Sequence, residues 1–228
     1  MVALRRVLAV LAPAALAVQA RRVRAAATME DDHAAYWRRR GRTPGSFLLV
    51  ALGDSLAQGV GALRPEQSWA GWLADHLERT TGRRVRVLVL GVSGATTAEV
   101  ADEQLPRVPA AARRGAASTL VALCTGTNDA TATDPEDFRR SLTAICGQLP
   151  AGSLVADIPD FQRGPDRPAG ARIAAIAREV VAAHPDLRLV RVEDATRRLR
   201  PWELGPDLTH FSGYGYRRLG RAFAAALG

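Results

Sequence analysis

Five short apolar runs, each too short for a helix, alternate with longer segments of helical spacing, and this rhythm limits the possible folds more than any other feature of the chain. The runs are FLLVAL at 47–52, VRVLVL at 85–90, TLVALC at 119–124, SLVADI at 153–158 and LRLVRV at 187–192. Helical spacing fills 69–80, 97–108, 135–149, 169–183 and 214–227. Strands alternating with helices predict βαβ units, a parallel sheet and right-handed crossovers that put helices on both faces. The strands are almost continuously apolar, as expected when both faces of a sheet are covered. With 228 residues the chain has room for one such domain, here 47–228, preceded by an extension over 1–46.

The extension differs from the rest in charge. It holds nine arginines against three acids, so most of the net charge of +8 lies outside the domain. All 31 basic residues are arginine, which we read as coding bias without functional weight. The arm lacks aromatic interleaving and any nucleic-acid module, and no nucleic-acid partner is expected. Arg5 and Arg6 precede an apolar stretch at 7–20, interrupted by Pro13 and followed by Arg21, Arg22 and Arg24. That stretch falls short of the ~20 residues of a membrane-spanning helix. It reads as a secretory signal, or as an interfacial helix whose arginines meet anionic headgroups, and this places the chain at the cell envelope or secreted, with the cytoplasm as the alternative. Residues 25–46 read as a polar linker.

In a parallel sheet the site lies beyond the carboxyl ends of the strands. Polar, glycine-flanked residues do follow the runs: GDS, GVSGATT, TGTND and PDFQRGPD, with DLTHFSGYG before the last helix. Ser55 on the first of these bends is a nucleophile only if a base takes its proton. Of the four histidines, His33, His76 and His184 read as solvated surface residues. His210 has Asp207 three residues before it, close enough to orient an imidazole and stabilise its cation. Alone, DLTH equally reads as a loop in which Asp207 caps an amide. Oxyanion donors are available from the Ser55 amide, from Gly94 and from the Asn128 side chain, although Gly94 and Asn128 also suit ordinary turns.

Taken in order, these blocks resemble the SGNH hydrolases, also called the GDSL esterases and lipases. GDSL at 53–56 matches the nucleophile block, GVSGATT at 91–97 the block with the oxyanion-hole glycine, GTND at 126–129 the block with its asparagine, and DLTH at 207–210 the final D-x-x-H. The resemblance implies catalytic Ser55, Asp207 and His210, an oxyanion hole of Ser55, Gly94 and Asn128, and no metal or organic cofactor. It also implies a flavodoxin-like three-layer α/β/α sandwich with strand order 2-1-3-4-5. Two positions depart from the pattern, Val89 where asparagine is frequent and Ala95 where aspartate is. Ala57 two residues after Ser55 separates the chain from the G-x-S-x-G elbow of α/β-hydrolases.

The implied activity is cleavage of carboxylic esters through an acyl-enzyme on Ser55. The same residues would serve an acyltransferase to a sugar or lipid hydroxyl, and a silent carbohydrate- or lipid-binding module would keep the fold. The remaining conspicuous residues have structural readings. Trp69 and Trp72 are expected to pack on the sheet, and Asp54 and Asp129 to anchor their loops. Cys124 and Cys146 are expected to be buried thiols, or a pair if the domain is exported. The polar connection at 160–168 either shapes the acyl pocket or is a mobile surface loop.

Overall fold

The computed structural model describes residues 28–162 and 165–228. The apolar runs form β1 (Phe47–Gly53), β2 (Val85–Val89), β3 (Thr119–Cys124), β4 (Leu154–Ala156) and β5 (Arg188–Val190). They make one all-parallel sheet in the order β2-β1-β3-β4-β5, the doubly wound arrangement expected from the sequence. Gly53 at the end of β1 pairs in register with Cys124 at the end of β3, so two of the polar blocks leave the sheet side by side.

Successive strand residues face opposite layers, and the core divides accordingly. Leu49, Ala51, Ala122 and Cys124 face a cluster built with Trp69 and Leu73 of α3 (Trp69–Thr81) and with Tyr216, Leu219 and Phe223 of α10 (Gly213–Ala225). Val50, Leu52, Val121 and Leu123 face Phe138 and Leu142 of α7 (Pro135–Cys146) and Ile173 and Ala177 of α8 (Arg167–Ala182). Trp69 stacks on Phe223 at 4.2 Å between ring centroids, joining the first long helix to the last. Trp72 is half-buried against the same cluster and lies under the guanidinium of Arg217 at the α3–α10 seam. Cys124 and Cys146 belong to opposite clusters and both are free, so the alternative of a disulfide does not hold.

Three further departures bear on the site. Residues 28–40, expected as linker, form a helix (α1) whose Trp37 and His33 are buried. His33 is therefore not a solvated residue; its Nδ1 lies 3.2 Å from the carbonyl of Gln58, which also accepts a 2.9 Å bond from Trp37 Nε1. The regular helix expected over 97–108 is α4 (Thr97–Glu99) followed by a wide turn at Val100–Gln104 and a tight one at Leu105–Arg107. Pro106 supplies no N–H there, and the Gln104 side chain is turned inward to bond Gly53. The described part of 160–168 is anchored rather than loose: Asp160 accepts from Arg167, and its amide donates to Thr196 Oγ1 at 2.9 Å. Short helices α2 (Ser55–Gln58), α5 (Ala110–Arg113), α6 (Asp129–Ala132) and α9 (Val192–Thr196) complete the chain. The apolar stretch at 7–20 lies outside the described residues, and no described helix is long and apolar enough to cross a membrane.

Candidate active site

Gly53 ends β1 with φ +137°, and a Cβ there would meet the Cys124 carbonyl oxygen at 1.9 Å, so only glycine turns the chain at this point. Asp54 then caps the single turn of α2, its Oδ1 accepting the Leu56 amide at 2.9 Å. This puts Ser55 at the first helical position beyond the strand end. Gln104, 51 residues away, fastens the bend: its side-chain oxygen accepts from Gly53 N at 2.9 Å and its side-chain nitrogen donates to Gly53 O at 2.7 Å. Gln58 ties α2 to the second block by donating to the Gly91 carbonyl at 2.9 Å.

The late block arrives from the other end of the chain. Tyr216 on α10 donates to the Val60 carbonyl at 2.7 Å, and a Cβ on Gly61 would lie 2.7 Å from His210 Cβ, so the segment after α2 and the DLTH loop are packed together. His210 Nε2 lies 2.9 Å from Ser55 Oγ, and His210 Nδ1 lies 2.5 Å from Asp207 Oδ2. The carboxylate fixes the tautomer: Nδ1–H donates to Asp207, which leaves the Nε2 lone pair to accept from the serine hydroxyl. Asp207 also accepts the amides of Thr209 and His210 at 3.0 Å through Oδ1. The capping and orienting readings of this aspartate are thus both fulfilled, by different oxygens. Leu208 between them has φ +61°, the left-handed turn that brings the two amides back onto the carboxylate.

Burial acts to raise the pKa of Asp207, but the His210 side chain and the two amides outweigh it and hold the carboxyl at about 2. Asp54 is in the opposite state. It has no exposed surface, its Oδ2 has no partner among the described residues, and burial pushes it to about 7 although the Leu56 amide and its own amide act the other way.

The donor side of the site is less crowded. Gly94, with φ +79°, occupies the left-handed place in a turn closed by Ala95 N–H to Val92 O at 3.1 Å. A Cβ at Gly94 would meet nothing within 4 Å, so backbone conformation, and not a close neighbour, calls for glycine here. Asn128 Nδ2 donates one hydrogen to the Ala95 carbonyl at 2.9 Å, its second having no acceptor among the described residues, and so ties the third block to the second. Among the described residues no acceptor engages the amides of Ser55 or Gly94. Asp129 anchors the same junction by accepting from the Thr97 amide and hydroxyl. No three His, Cys, Asp or Glu side chains are grouped to hold a metal ion among the described residues. His76 and His184 lie away from this edge, on α3 and just past α8.

Gln58, Gln104 and Trp37 were not singled out in the sequence, and His33 was read there as solvated. Their partners are backbone groups 21 to 51 residues distant, so no local spacing marks them.

Solved structures with this architecture include LAE5, described as an alpha/beta hydrolase enzyme from the metagenome of Lake Arreo, Spain (22% identity, TM-score 0.64, covering 82% of this chain and 97% of that one). The acetylxylan esterase Axe2 of Geobacillus stearothermophilus is similar at 18% identity, TM-score 0.65, with 81% of this chain and 95% of that one covered. TesA is similar at 21% identity and TM-score 0.62, with 79% and 97% covered. At these identities the likeness is one of fold. No curated protein matches the chain. A family model described as the GDSL-like Lipase/Acylhydrolase family matches residues 51–218, which include all four blocks. The chain belongs to the GDSL-like lipase and acylhydrolase family of esterases and lipases.

Proposed function

We propose that the chain cleaves carboxylic esters through an acyl-enzyme on Ser55. The observation that carries this reading is the unbroken line of hydrogen bonds from Ser55 Oγ through His210 to Asp207. Ser55 Oγ attacks the ester carbonyl carbon while His210 Nε2 takes its proton, and Asp207 stabilises the imidazolium. The charge that forms on the carbonyl oxygen is met by the uncommitted amides of Ser55 and Gly94 and the second Asn128 hydrogen. The tetrahedral intermediate collapses, the alcohol leaves with the proton held on Nε2, and a water activated by His210 then releases the acid from Ser55.

The test is hydrolysis of short p-nitrophenyl esters together with labelling by a fluorophosphonate probe. Ser55→Ala is expected to lose labelling and on the order of 10⁶-fold in turnover. Asn128→Ala, which removes one preorganised donor, is expected to lose ~10² to 10³-fold while remaining labelled. Wild-type rates in the Ser55→Ala protein would overturn the reading.

A further inference from the structure

Five large apolar or aromatic side chains are exposed among the described residues: Leu63, Val92, Trp202, Leu208 and Tyr214. All five lie on segments that carry or border the site. Leu63 follows α2, Val92 precedes Gly94, and Leu208 stands between Asp207 and His210. Trp202 and Tyr214 flank the DLTH loop, and Ser212 Oγ bonds the Trp202 carbonyl at 2.7 Å, holding the two flanks together. Leu63 is 83% exposed, Tyr214 68%, Trp202 59% and Leu208 56%. Scattered apolar exposure is ordinary, but Trp202 and Tyr214 share the rim of one groove, and that pairing calls for a cause.

The same rim is cationic. Arg217 and Arg221, one turn apart on α10, border a groove of about 620 Å³ that they share with Arg200, Trp202 and Tyr214. They also border a second groove, of about 470 Å³, running past Trp72 and Arg79 on α3. The one acid in the larger groove, Glu203, has both oxygens engaged by Arg218, at 2.6 and 2.9 Å. Arg200 and Arg217 lie over the rings of Trp202 and Trp72, at 5.3 and 5.4 Å from the centroids. Among the described residues Arg200, Arg217 and Arg221 have no carboxylate within ion-pair distance.

We propose that this rim docks on a lipid bilayer carrying anionic headgroups. An exposed indole and phenol beside unpaired guanidinium groups suit the headgroup boundary, where amphipathic rings reside and each arginine gains from the surface charge. With Trp202 and Tyr214 beside the arginines, the groove has an apolar and a cationic part, which a soluble anion would not require. Docking itself is independent of the chemistry at Ser55. Its consequence, that the ester is taken from a lipid surface, rests on the function proposed above.

The full chain would be sedimented with vesicles of phosphatidylcholine alone and of phosphatidylcholine mixed with phosphatidylglycerol. Binding is expected to require the anionic lipid. The R200Q/R217Q/R221Q variant is expected to partition roughly 100-fold more weakly at an unchanged melting temperature. Because Trp37 and Trp69 are buried and Trp72 is half-buried, quenching by brominated lipid reports chiefly on Trp202, with a smaller share from Trp72, and W202F is expected to lose most of it. Equal partitioning of the triple variant, unaltered quenching in W202F, or tighter binding to an RNA oligonucleotide than to the vesicles would each overturn the proposal. The two readings separate cleanly: S55A bound to vesicles like wild type but still cleaving ester removes the esterase mechanism alone, whereas a wild-type chain that cleaves soluble ester and ignores anionic vesicles removes the docking alone.

Discussion

Two aspartates near the serine carry opposite electrostatics, and each has a measurable consequence. Asp207 is held at about 2, below its ordinary value, so its contribution to stability is complete above pH 4 and is lost as pH falls through 2. Asp54 is raised to about 7, so the folded state keeps a proton that the unfolded chain has already released. Its contribution is present below pH 4 and is lost as pH rises through 7, because burial penalises the ionised form more than its amide partners repay. We expect the difference in urea midpoint between wild type and Asp54→Asn to fall between pH 4 and pH 8. A difference that stays flat across that range would show Asp54 to be ionised throughout. The residues of the proposed site, Ser55, Asp207 and His210, stand in ordered blocks beside glycine bends, and the sequence already offered them as candidates. The burial of Asp54 was not legible there, because the surroundings that deprive its Oδ2 of a partner come from segments distant in sequence.

At the level of elements, the broken helix at 97–107 explains itself through one side chain. A regular helix would leave the backbone of Gly53 without the two bonds it receives from Gln104. Replacing Gln104 by Ala leaves the buried Gly53 N–H at the end of β1 without its acceptor, at ~1 to 3 kcal/mol for the unsatisfied group, while the Gly53 carbonyl keeps the Val92 amide at 3.2 Å. We expect Gln104→Ala to lower stability by about 1 to 3 kcal/mol and to slow ester cleavage with little change in KM, since the bend bearing the nucleophile is loosened. Chemical denaturation and steady-state kinetics on the same preparation would check both. An effect on stability with kcat intact would confine Gln104 to scaffolding. Helix periodicity located this segment but gave no sign of its wide turn, since a glutamine on an amphipathic helix reads as a solvent-facing residue. The same applies to α1, where the polar letters around His33 and Trp37 obscured two side chains that close over Gln58.

Across the whole molecule the sheet separates two cores, and the cysteines report on both. Burial raises Cys146 to about 12 and Cys124 well above its ordinary value, so neither is a thiolate at neutral pH. Native protein is expected to give no reaction with a disulfide reagent such as DTNB, and two equivalents after unfolding; rapid reaction in the folded state would contradict this packing. The covered parallel sheet was legible because continuous apolar strands demand cover on both faces, and its strand order came with the resemblance of the four blocks, whereas the link between α3 and α10 was not legible, since Trp69 and Phe223 share no periodic signal across 154 positions. That link also sets a timetable. Ser55 and His210 are 155 residues apart, and α10 clasps the loop that holds the histidine's neighbours. During synthesis the serine therefore leaves the ribosome long before its base exists, and the nascent chain carries an unarmed hydroxyl until nearly all of the domain has emerged.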